Sequence, residues 1–402
     1  MKENKLFLSS KIVNLKNYSL KKLSRRFDKA FFEIDKKFSN SQNFFNLFSK
    51  NYKFSFKSKE LNKFKKFKKI ALIGMGGSIL GSMAIHNIFE NKIRKKLYFF
   101  DDLNEKKLLN FKKRENLNKV LFLIISKSGN TIETLANTFS LEILKKNAKN
   151  VIIISEKKNN QLYALSKKLN LFFIEHKHFI GGRYSVLSEV GIIPAYLMGL
   201  DVNKLRSNIT GVLKKNKMPL RENSIKLTNL LNSKQFNSLI LLNYAPQLEK
   251  FLFWCQQLIA ESLGKKFKGF LPVVSSAPRD HHSLLQLYLD GPKDKLFYIF
   301  SCDEQVKQKI NIKKKFNSKS YLNKKSLSFI KNAQKNALIK SFNKYKIPFR
   351  EFKIRKINEV ILGELFSYFI FETIIVGKLA KINPFDQPAV EQVKIFTKNY
   401  LK

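Results

Sequence analysis

The chain has 402 residues, 44% of them hydrophobic, a composition that excludes a disordered protein and a length typical of two or three domains. Lysine and arginine number 77 against 30 acidic residues, and the formal net charge of +47 raises the question of a nucleic-acid or membrane-surface partner. The lysines are spread along the whole chain and accompany abundant Asn, Ile and Phe, so composition bias with a solvated surface is favoured over a specific nucleic-acid function.

The first 65 residues are predicted to form a helical extension. In LSRRFDKAFFEIDKKF, Phe27, Phe31, Ile34 and Phe38 recur at helical spacing, which indicates an amphipathic helix whose apolar face belongs to a core. This stretch contains no pattern that indicates enzyme chemistry.

Strands that alternate with helices are predicted from Lys69 onwards. Apolar runs of strand length are KIALIG, Leu97–Phe100, Leu121–Ile125 and Val151–Ile154, and helical patterns follow at ILGSMAIHNIF and from about Thr131 to about Ala148. This alternation predicts a parallel sheet with helices on both faces. Ligands of such sheets bind beyond the carboxyl ends of the strands.

Two loops at such strand ends are candidates for ligand binding. GMGGS (Gly74–Ser78) lacks the third glycine of the dinucleotide motif and the lysine of a Walker A loop. It is either a tight strand-to-helix turn or a place where the backbone approaches a sugar or phosphate. SKSGNT (Ser126–Thr131) precedes a helix, where free N–H groups, hydroxyls and the helix dipole suit a phosphate, although such residues also cap helices.

The strand–helix pattern repeats after a segment rich in Lys and Asn, Asn203–Ser233. SLILLNY, FLPVVS and LFYIFSC are predicted strands, and Pro246–Leu263, Ser326–Tyr345 and Ile357–Ala380 are predicted helices. The predicted fold class is α/β, with two doubly wound parallel-sheet domains. Its predicted parts are a helical extension (1–65), a first domain with the phosphate loop (66–205), a second domain (206–350) and C-terminal helices (351–402).

Four further motifs contain residues that could carry chemistry, and each has an ordinary alternative. Arg183 follows two glycines and serves an oxyanion or phosphate, or is simply exposed. Glu261 is a catalytic carboxylate or a surface one. His281 and His282 suit proton transfer or a metal, although no companion ligand cluster is evident. Glu391 and Lys394 are three residues apart and could simply pair on a terminal helix.

Together and in order, six motifs resemble the phosphoglucose isomerase family: GMGGSILG, SKSGNTIET, GGRYSVLSEVGIIPA, QLIAESLGK, HHSLLQLYLDGPKD and FDQPAVEQVK. They extend from residue 74 to residue 394, about four-fifths of the chain. The resemblance implies two flavodoxin-like domains of the sugar-isomerase (SIS) type. It also implies an aldose–ketose isomerase that interconverts glucose 6-phosphate and fructose 6-phosphate through a cis-enediol intermediate, without metal or cofactor.

The resemblance implies roles for individual residues. Glu261 would be the base that moves a proton between C2 and C1, Arg183 would stabilise the enediolate, and His282 and Lys394 would open the sugar ring. The other matching positions would bind the substrate: Ser126, Lys127, Ser128 and Thr131 its phosphate, Gly77 and Ser78 its sugar side, and Gln387 a further contact.

The family pattern also bears on assembly. In this family the counterpart of His282 comes from the neighbouring subunit, which implies a homodimer with shared active sites. Two residues depart from the pattern, since Ala389 and Val393 stand where glycine is usual, and Val393 leaves the placement of Lys394 open.

Location and two alternative functions complete the sequence-based expectations. Two isolated cysteines, no apolar run of membrane length and no secretory signal predict a cytoplasmic protein with no membrane partner. One alternative is a bifunctional isomerase that also accepts mannose 6-phosphate. The other is a non-catalytic SIS-domain regulator that only binds sugar phosphates. The joint presence of Glu261, Arg183, His282 and Lys394 favours the enzyme.

Overall fold

The computed structural model describes residues 7–15, 21–40, 42–211, 213, 217–303, 308–312 and 320–401. Its strands are β1 (Phe7–Ser9), β2 (Lys69–Ile73), β3 (Lys96–Phe100), β4 (Val120–Ile125), β5 (Val151–Ser155), β6 (Phe172–Glu175), β7 (Ser238–Asn243), β8 (Leu271–Ser276), β9 (Lys295–Cys302) and β10 (Phe349–Ile354). The α-helices of the first half span Lys21–Lys36, Ser58–Leu61, Leu80–Phe89, Glu105–Arg114, Ile132–Ser140, Gln161–Lys168, Glu189–Leu197 and Val202–Arg206. Those of the second half span Lys217–Ser233, Glu249–Leu263, Leu285–Asp290, Leu327–Lys344, Glu359–Leu379 and Ala389–Tyr400.

The first sheet contains five parallel strands in the order β3-β2-β4-β5-β6. Every residue of β4 and β5 is buried, as expected for inner strands that helices cover on both faces. In chain order within this sheet the arrangement is 2-1-3-4-5, the flavodoxin-like doubly wound order, whose switch point lies between β2 and β4. The loops Gly74–Ser78 and Ser126–Thr131 follow these two strands, so both candidate ligand loops lie at the switch point.

The second sheet repeats this arrangement in the order β8-β7-β9-β10, with all four strands parallel. A fifth strand, β1, pairs antiparallel with β10, with Phe7 opposite Ile354. The α/β class with two doubly wound parallel-sheet domains is therefore confirmed. The N-terminal segment differs in one respect from the expected helical extension, because residues 7–9 belong to the second sheet.

One long apolar helix, Glu359–Leu379, forms the centre of the main core. It is long and apolar enough to cross a membrane, but 89% of its most apolar window is buried inside the protein. Helices Lys21–Lys36, Lys217–Ser233 and Glu249–Leu263 contact it. Phe27 and Ile34 are buried, which confirms the predicted apolar stripe of the first helix.

The predicted helix from Thr131 to about Ala148 is shorter in the structure and ends at Ser140. Residues 141–150 form a loop in which Glu142 and Asn147 adopt left-handed conformations, with φ angles of 54° and 58°. Such conformations interrupt a right-handed helix. The loop then brings the chain back to Val151, where β5 begins beside β4.

Candidate active site

A buried arginine joins three distant segments of the chain. Arg183 lies in the 3₁₀ turn Gly182–Leu187 and is 4% exposed. Its Nε donates to Ser262 Oγ at 2.8 Å, and its Nη1 donates to Glu261 Oε2 at 3.2 Å and to Gln387 Oε1 at 3.0 Å. Its Nη2 donates to the main-chain oxygens of Pro384 and Asp386. Because a guanidinium has five N–H groups, every donor of Arg183 is engaged.

Glu261 stands in the last turn of helix Glu249–Leu263, with its carboxylate held from two sides. Oε2 accepts from Arg183, and Oε1 accepts from Gln257 Nε2 at 2.8 Å, one helical turn earlier. The Glu261 side chain is nevertheless 31% exposed, against 3% for Arg183. Together with Gln257 and Phe253 it lines an open cavity of about 510 Å³. The carboxylate is therefore fixed in orientation and accessible to a small molecule.

The turn Gly76–Ser78 packs against both Arg183 and Gln257. A Cβ atom at Gly77 would lie 2.3 Å from the carbonyl carbon and oxygen of Gly182 and 2.6 Å from Arg183 N. Gly76 has a φ of +51°, and a Cβ there would lie 2.6 Å from Gln257 Nε2. These glycines thus permit close packing of the protein on itself, and they place Gly77 and Ser78 beside the Arg183–Glu261 pair.

The hydroxyl groups of the loop Ser126–Thr131 converge. Ser126 Oγ lies 2.8 Å and Ser128 Oγ 3.4 Å from Thr131 Oγ1, and Gly129 N donates to Ser126 Oγ at 3.1 Å. Thr131 is the N-cap of helix Ile132–Ser140 but makes no capping bond with its side chain. Three hydroxyls and the positive end of a helix dipole therefore meet at one place, an arrangement that suits a phosphate.

Lys127 of the same loop is directed elsewhere. Its Nζ donates to the main-chain oxygen of His178 at 2.9 Å and lies 3.5 Å from Glu156 Oε1. Burial, with a smaller contribution from the charge of Arg183, lowers the pKa of Lys127, and Glu156 opposes this shift. The ammonium group thus braces the loop against the neighbouring strand ends, and its electrostatic coupling to Arg183 links the loop to the Arg183–Glu261 pair.

His282 and Lys394 do not join these residues within one chain. His282 is exposed at the end of the 3₁₀ turn Arg279–His282. Its neighbour His281 has a partner, since its Nε2 lies 2.6 Å from the Tyr244 hydroxyl. Lys394 pairs with Glu391 at 2.6 Å on helix Ala389–Tyr400, which has no buried residue. The structure therefore brings together Glu261, Arg183 and Gln387 and leaves His282 and Lys394 at the surface of the chain.

Several supporting residues were not predicted from sequence. Tyr184 OH lies 2.7 Å from Ser262 Oγ and donates to Pro384 O at 2.8 Å, and Lys265 pairs with Asp386 at 2.8 Å. These contacts hold the segment 384–387 against the Arg183 turn. Gln257 was detectable, because a residue four positions before Glu261 shares its helix face. The other contacts depend on tertiary structure alone.

The structure does not gather metal ligands at this site. In the ranges described, no three side chains of His, Cys, Asp or Glu form a group that could hold a metal ion. The charged groups that face the cavity are protein side chains, chiefly Glu261 and the Arg183 guanidinium behind it.

We expect Gly129→Ala to weaken sugar-phosphate binding. Gly129 has a φ of +68°, and a Cβ there would lie 1.8 Å from Asn160 Oδ1, so the loop must shift to accept alanine. The KM for fructose 6-phosphate should rise by roughly tenfold or more, because the hydroxyls and amides would no longer converge. The control is Gly199→Ala, which has a φ of +89° and no atom within 4 Å, and so carries the same kind of backbone strain away from the site. Equal KM values for both variants would contradict the assignment of the loop.

Comparisons with known proteins agree with this geometry. The family model described as phosphoglucose isomerase matches residues 46–402. A probable glucose-6-phosphate isomerase of Methanococcus maripaludis is 33% identical over 83% of this chain and 79% of its own length. A glucose-6-phosphate isomerase of Methanocaldococcus jannaschii is 32% identical over 82% of this chain and 83% of its own length. Among solved structures, a glucose-6-phosphate isomerase of Chlamydia trachomatis has a similar fold, with a TM-score of 0.73 and 17% identity over 96% of this chain and 86% of that one.

Family membership follows from the extent of these matches. The family model spans most of the chain, and the two archaeal relatives exceed 30% identity over more than two-thirds of it. The doubly wound sheets and the converging loops at the first switch point agree with the sequence-based resemblance. This chain belongs to the phosphoglucose isomerase family.

Proposed function

We propose that this chain is an aldose–ketose isomerase that interconverts glucose 6-phosphate and fructose 6-phosphate. The observation that carries the proposal is the accessible Glu261 carboxylate, held by a buried arginine at the edge of a cavity beside a phosphate-type loop. The relatives named above act on the same sugar phosphate according to their names.

Glu261 is the base in the proposed mechanism. Its carboxylate removes the proton from C2 of the open-chain aldose, and the electron pair of that C–H bond forms the C1=C2 double bond of a cis-enediol. The protonated Glu261 then returns the proton to C1, which yields the ketose. The bonds from Gln257 and Arg183 fix the orientation of the carboxylate between the two transfers.

Arg183 supports this chemistry by charge. Its donors are all engaged, but those of Nη1 go to two side chains, Glu261 and Gln387, whereas those of Nη2 go to main-chain oxygens. A developing enediolate oxygen can therefore replace the Gln387 side chain at Nη1 without disturbing the fold. Gln387, released in this way, becomes a direct contact for the substrate, in agreement with its predicted role.

The substrate phosphate binds at Ser126–Thr131 in this proposal. The hydroxyls of Ser126, Ser128 and Thr131 and the first amides of helix Ile132–Ser140 bind its oxygens, while Lys127 positions the loop and adds positive charge. Gly77 and Ser78 lie between this loop and Arg183, where they would face the sugar carbons.

Ring opening requires a second copy of the chain in this proposal. His282 is exposed and Lys394 lies on a helix without buried residues, so both are free to meet an active site across a subunit interface. Helix Ala389–Tyr400 exposes Val393, Ile395 and Phe396, an apolar face that a homodimer would cover. The proposed function thus includes a homodimer with shared active sites, and neither a membrane nor a specific nucleic acid as partner.

A coupled assay tests the reaction class. Fructose 6-phosphate and mannose 6-phosphate are offered separately in the presence of a chelator, and glucose 6-phosphate formation is followed. Formation from fructose 6-phosphate alone supports the stated function, and formation from both supports the bifunctional alternative. Sugar-phosphate binding without turnover would leave only the non-catalytic regulator.

We expect complementation between two inactive variants. In a mixture of Glu261→Gln and His282→Ala, a randomly formed heterodimer carries one site with native Glu261 and native His282. Equal amounts, dissociated and reassociated together, should recover roughly a quarter of the native activity, whereas each variant alone stays inactive. Light scattering on the same samples confirms the dimer. Activity no greater than that of the separate variants would place both residues of a site in one chain.

A further inference from the structure

A second, larger cavity lies at the opposite edge of the first sheet. Its volume is about 800 Å³, and it is formed by residues of segments 66–69, 117–119 and 142–150. These segments immediately precede β2, β4 and β5, so the cavity lies at the amino ends of the strands. The candidate active site lies at their carboxyl ends, and the two are separated by the length of the sheet.

The cavity is much richer in positive charge than the chain as a whole. Seven of its fourteen residues are lysines and one is a glutamate, whereas lysine and arginine together make up 77 of all 402 residues. The glutamate, Glu142, pairs at 2.6 Å with Lys112 outside the cavity. Of the seven lysines, Lys69 pairs with Glu115 at 2.5 Å, and the others form no ion pair within the described ranges. An anion in the cavity would offset this mutual repulsion.

Beneath the lysines the cavity has an apolar floor. Phe67, Leu117 and Ala148 are half-buried and Ile143 is buried, so a ligand would find apolar surface between the charges. The wall behind the floor is fixed by main-chain contacts, since Asn147 N donates to Leu169 O at 2.8 Å. The cavity is therefore part of the folded framework, formed by a loop with two left-handed residues.

We propose that this cavity binds a nucleoside triphosphate, with the base on the apolar floor and the phosphates among the lysines. A volume of about 800 Å³ falls in the range of small-molecule sites. The combination of an apolar floor and several cations fits a ligand that carries a planar ring and several negative charges. A concave site of this size favours such a ligand over a nucleic acid, which needs an extended basic stripe. The site is independent of the proposed isomerisation.

Calorimetry with ATP and the full chain at about 150 mM salt tests this assignment, because at that ionic strength diffuse surface attraction is screened beyond roughly 8 Å. ATP should bind more tightly than tripolyphosphate, which lacks the base, and than adenosine, which lacks the charges. Saturating fructose 6-phosphate should leave ATP binding unchanged. Displacement by fructose 6-phosphate would place ATP at the active site and overturn the proposal, as would equal affinity for ATP and tripolyphosphate. Binding of duplex DNA that competes with ATP and exceeds it in affinity would overturn it in favour of a nucleic acid.

Charge-matched variants separate the cavity from the surface. The triple variant Lys145→Gln, Lys146→Gln, Lys149→Gln should weaken ATP binding by roughly tenfold or more, as expected for the loss of several phosphate contacts. The control triple variant Lys22→Gln, Lys29→Gln, Lys37→Gln removes the same charge from exposed positions on or beside the first helix. It should change the affinity by less than about twofold. Ala148→Trp, which fills the floor without changing charge, should also abolish binding. Equal losses in the two triple variants, or no loss in Ala148→Trp, would reduce the effect to general surface charge.

Discussion

Glu261→Gln should lower kcat for the isomerisation of fructose 6-phosphate by roughly 10³-fold or more, because the amide cannot accept the C2 proton. The fold should be retained. The new amide oxygen still accepts from Arg183, and the new amide nitrogen can donate to Gln257 Oε1, which lacks a partner within the described residues. A rotation of the Gln257 amide is enough for this exchange. Binding of fructose 6-phosphate, measured by calorimetry, should therefore change little.

The matched control is Glu249→Gln at the start of the same helix. Glu249 is about as exposed as Glu261 and lies 3.8 Å from Lys250, a surface pair whose loss costs little. Its variant should retain native kcat. A Glu261→Gln enzyme with near-native kcat would remove the carboxylate from the mechanism, whereas loss of both kcat and binding would indicate a binding role instead.

Arg183→Met should have two separate effects, on rate and on stability. Removal of a buried cation with five hydrogen bonds leaves Glu261 and the carbonyls of Pro384 and Asp386 without their donor. The free energy of unfolding should fall by roughly 3–5 kcal/mol, as for other broken buried ion pairs. The kcat should fall by at least about 10²-fold, since the positive charge near the enediolate is lost. Denaturant titration and steady-state kinetics measure the two effects.

Two further variants keep these effects apart. Arg183→Lys retains the charge but not the planar set of five donors, so it should recover part of kcat and less of the stability. Arg279→Met removes an arginine whose side chain is 76% exposed and should change the free energy of unfolding by no more than about 0.5 kcal/mol. If Arg183→Met were as stable as native protein, the tie between residue 183 and segment 384–387 would be contradicted.

The strands that sequence predicts best are those whose residues are all buried. Val120–Ile125 and Val151–Ser155 are unbroken apolar runs with turn residues on both sides, so their local pattern is sufficient. The three-residue strand Phe7–Ser9 was not predictable, because its partner Phe352–Ile354 lies more than 340 residues away. The end of helix Ile132–Ser140 was also missed, because left-handed residues such as Glu142 carry no glycine signal.

The site was predictable where one motif holds all of its parts. The hydroxyls of Ser126 and Thr131 lie five residues apart and meet as their motif indicates. Arg183 was ambiguous in sequence because its partners come from residues 261–262 and 384–387, which only the fold brings to it. The exposed positions of His282 and Lys394 carry the same lesson, since a site shared between copies of a chain cannot be completed by one of them.

The strand Phe7–Ser9 has a consequence for folding during synthesis. All strands of the first sheet lie between residues 69 and 175, so this sheet can form while the second half of the chain is still being made. Residues 7–9 leave the ribosome earliest, yet they find their partner only after residue 354 has been synthesised. The closing of this very long loop carries a large entropic cost and falls late. The beginning of the chain is thus among the last parts to reach its native position.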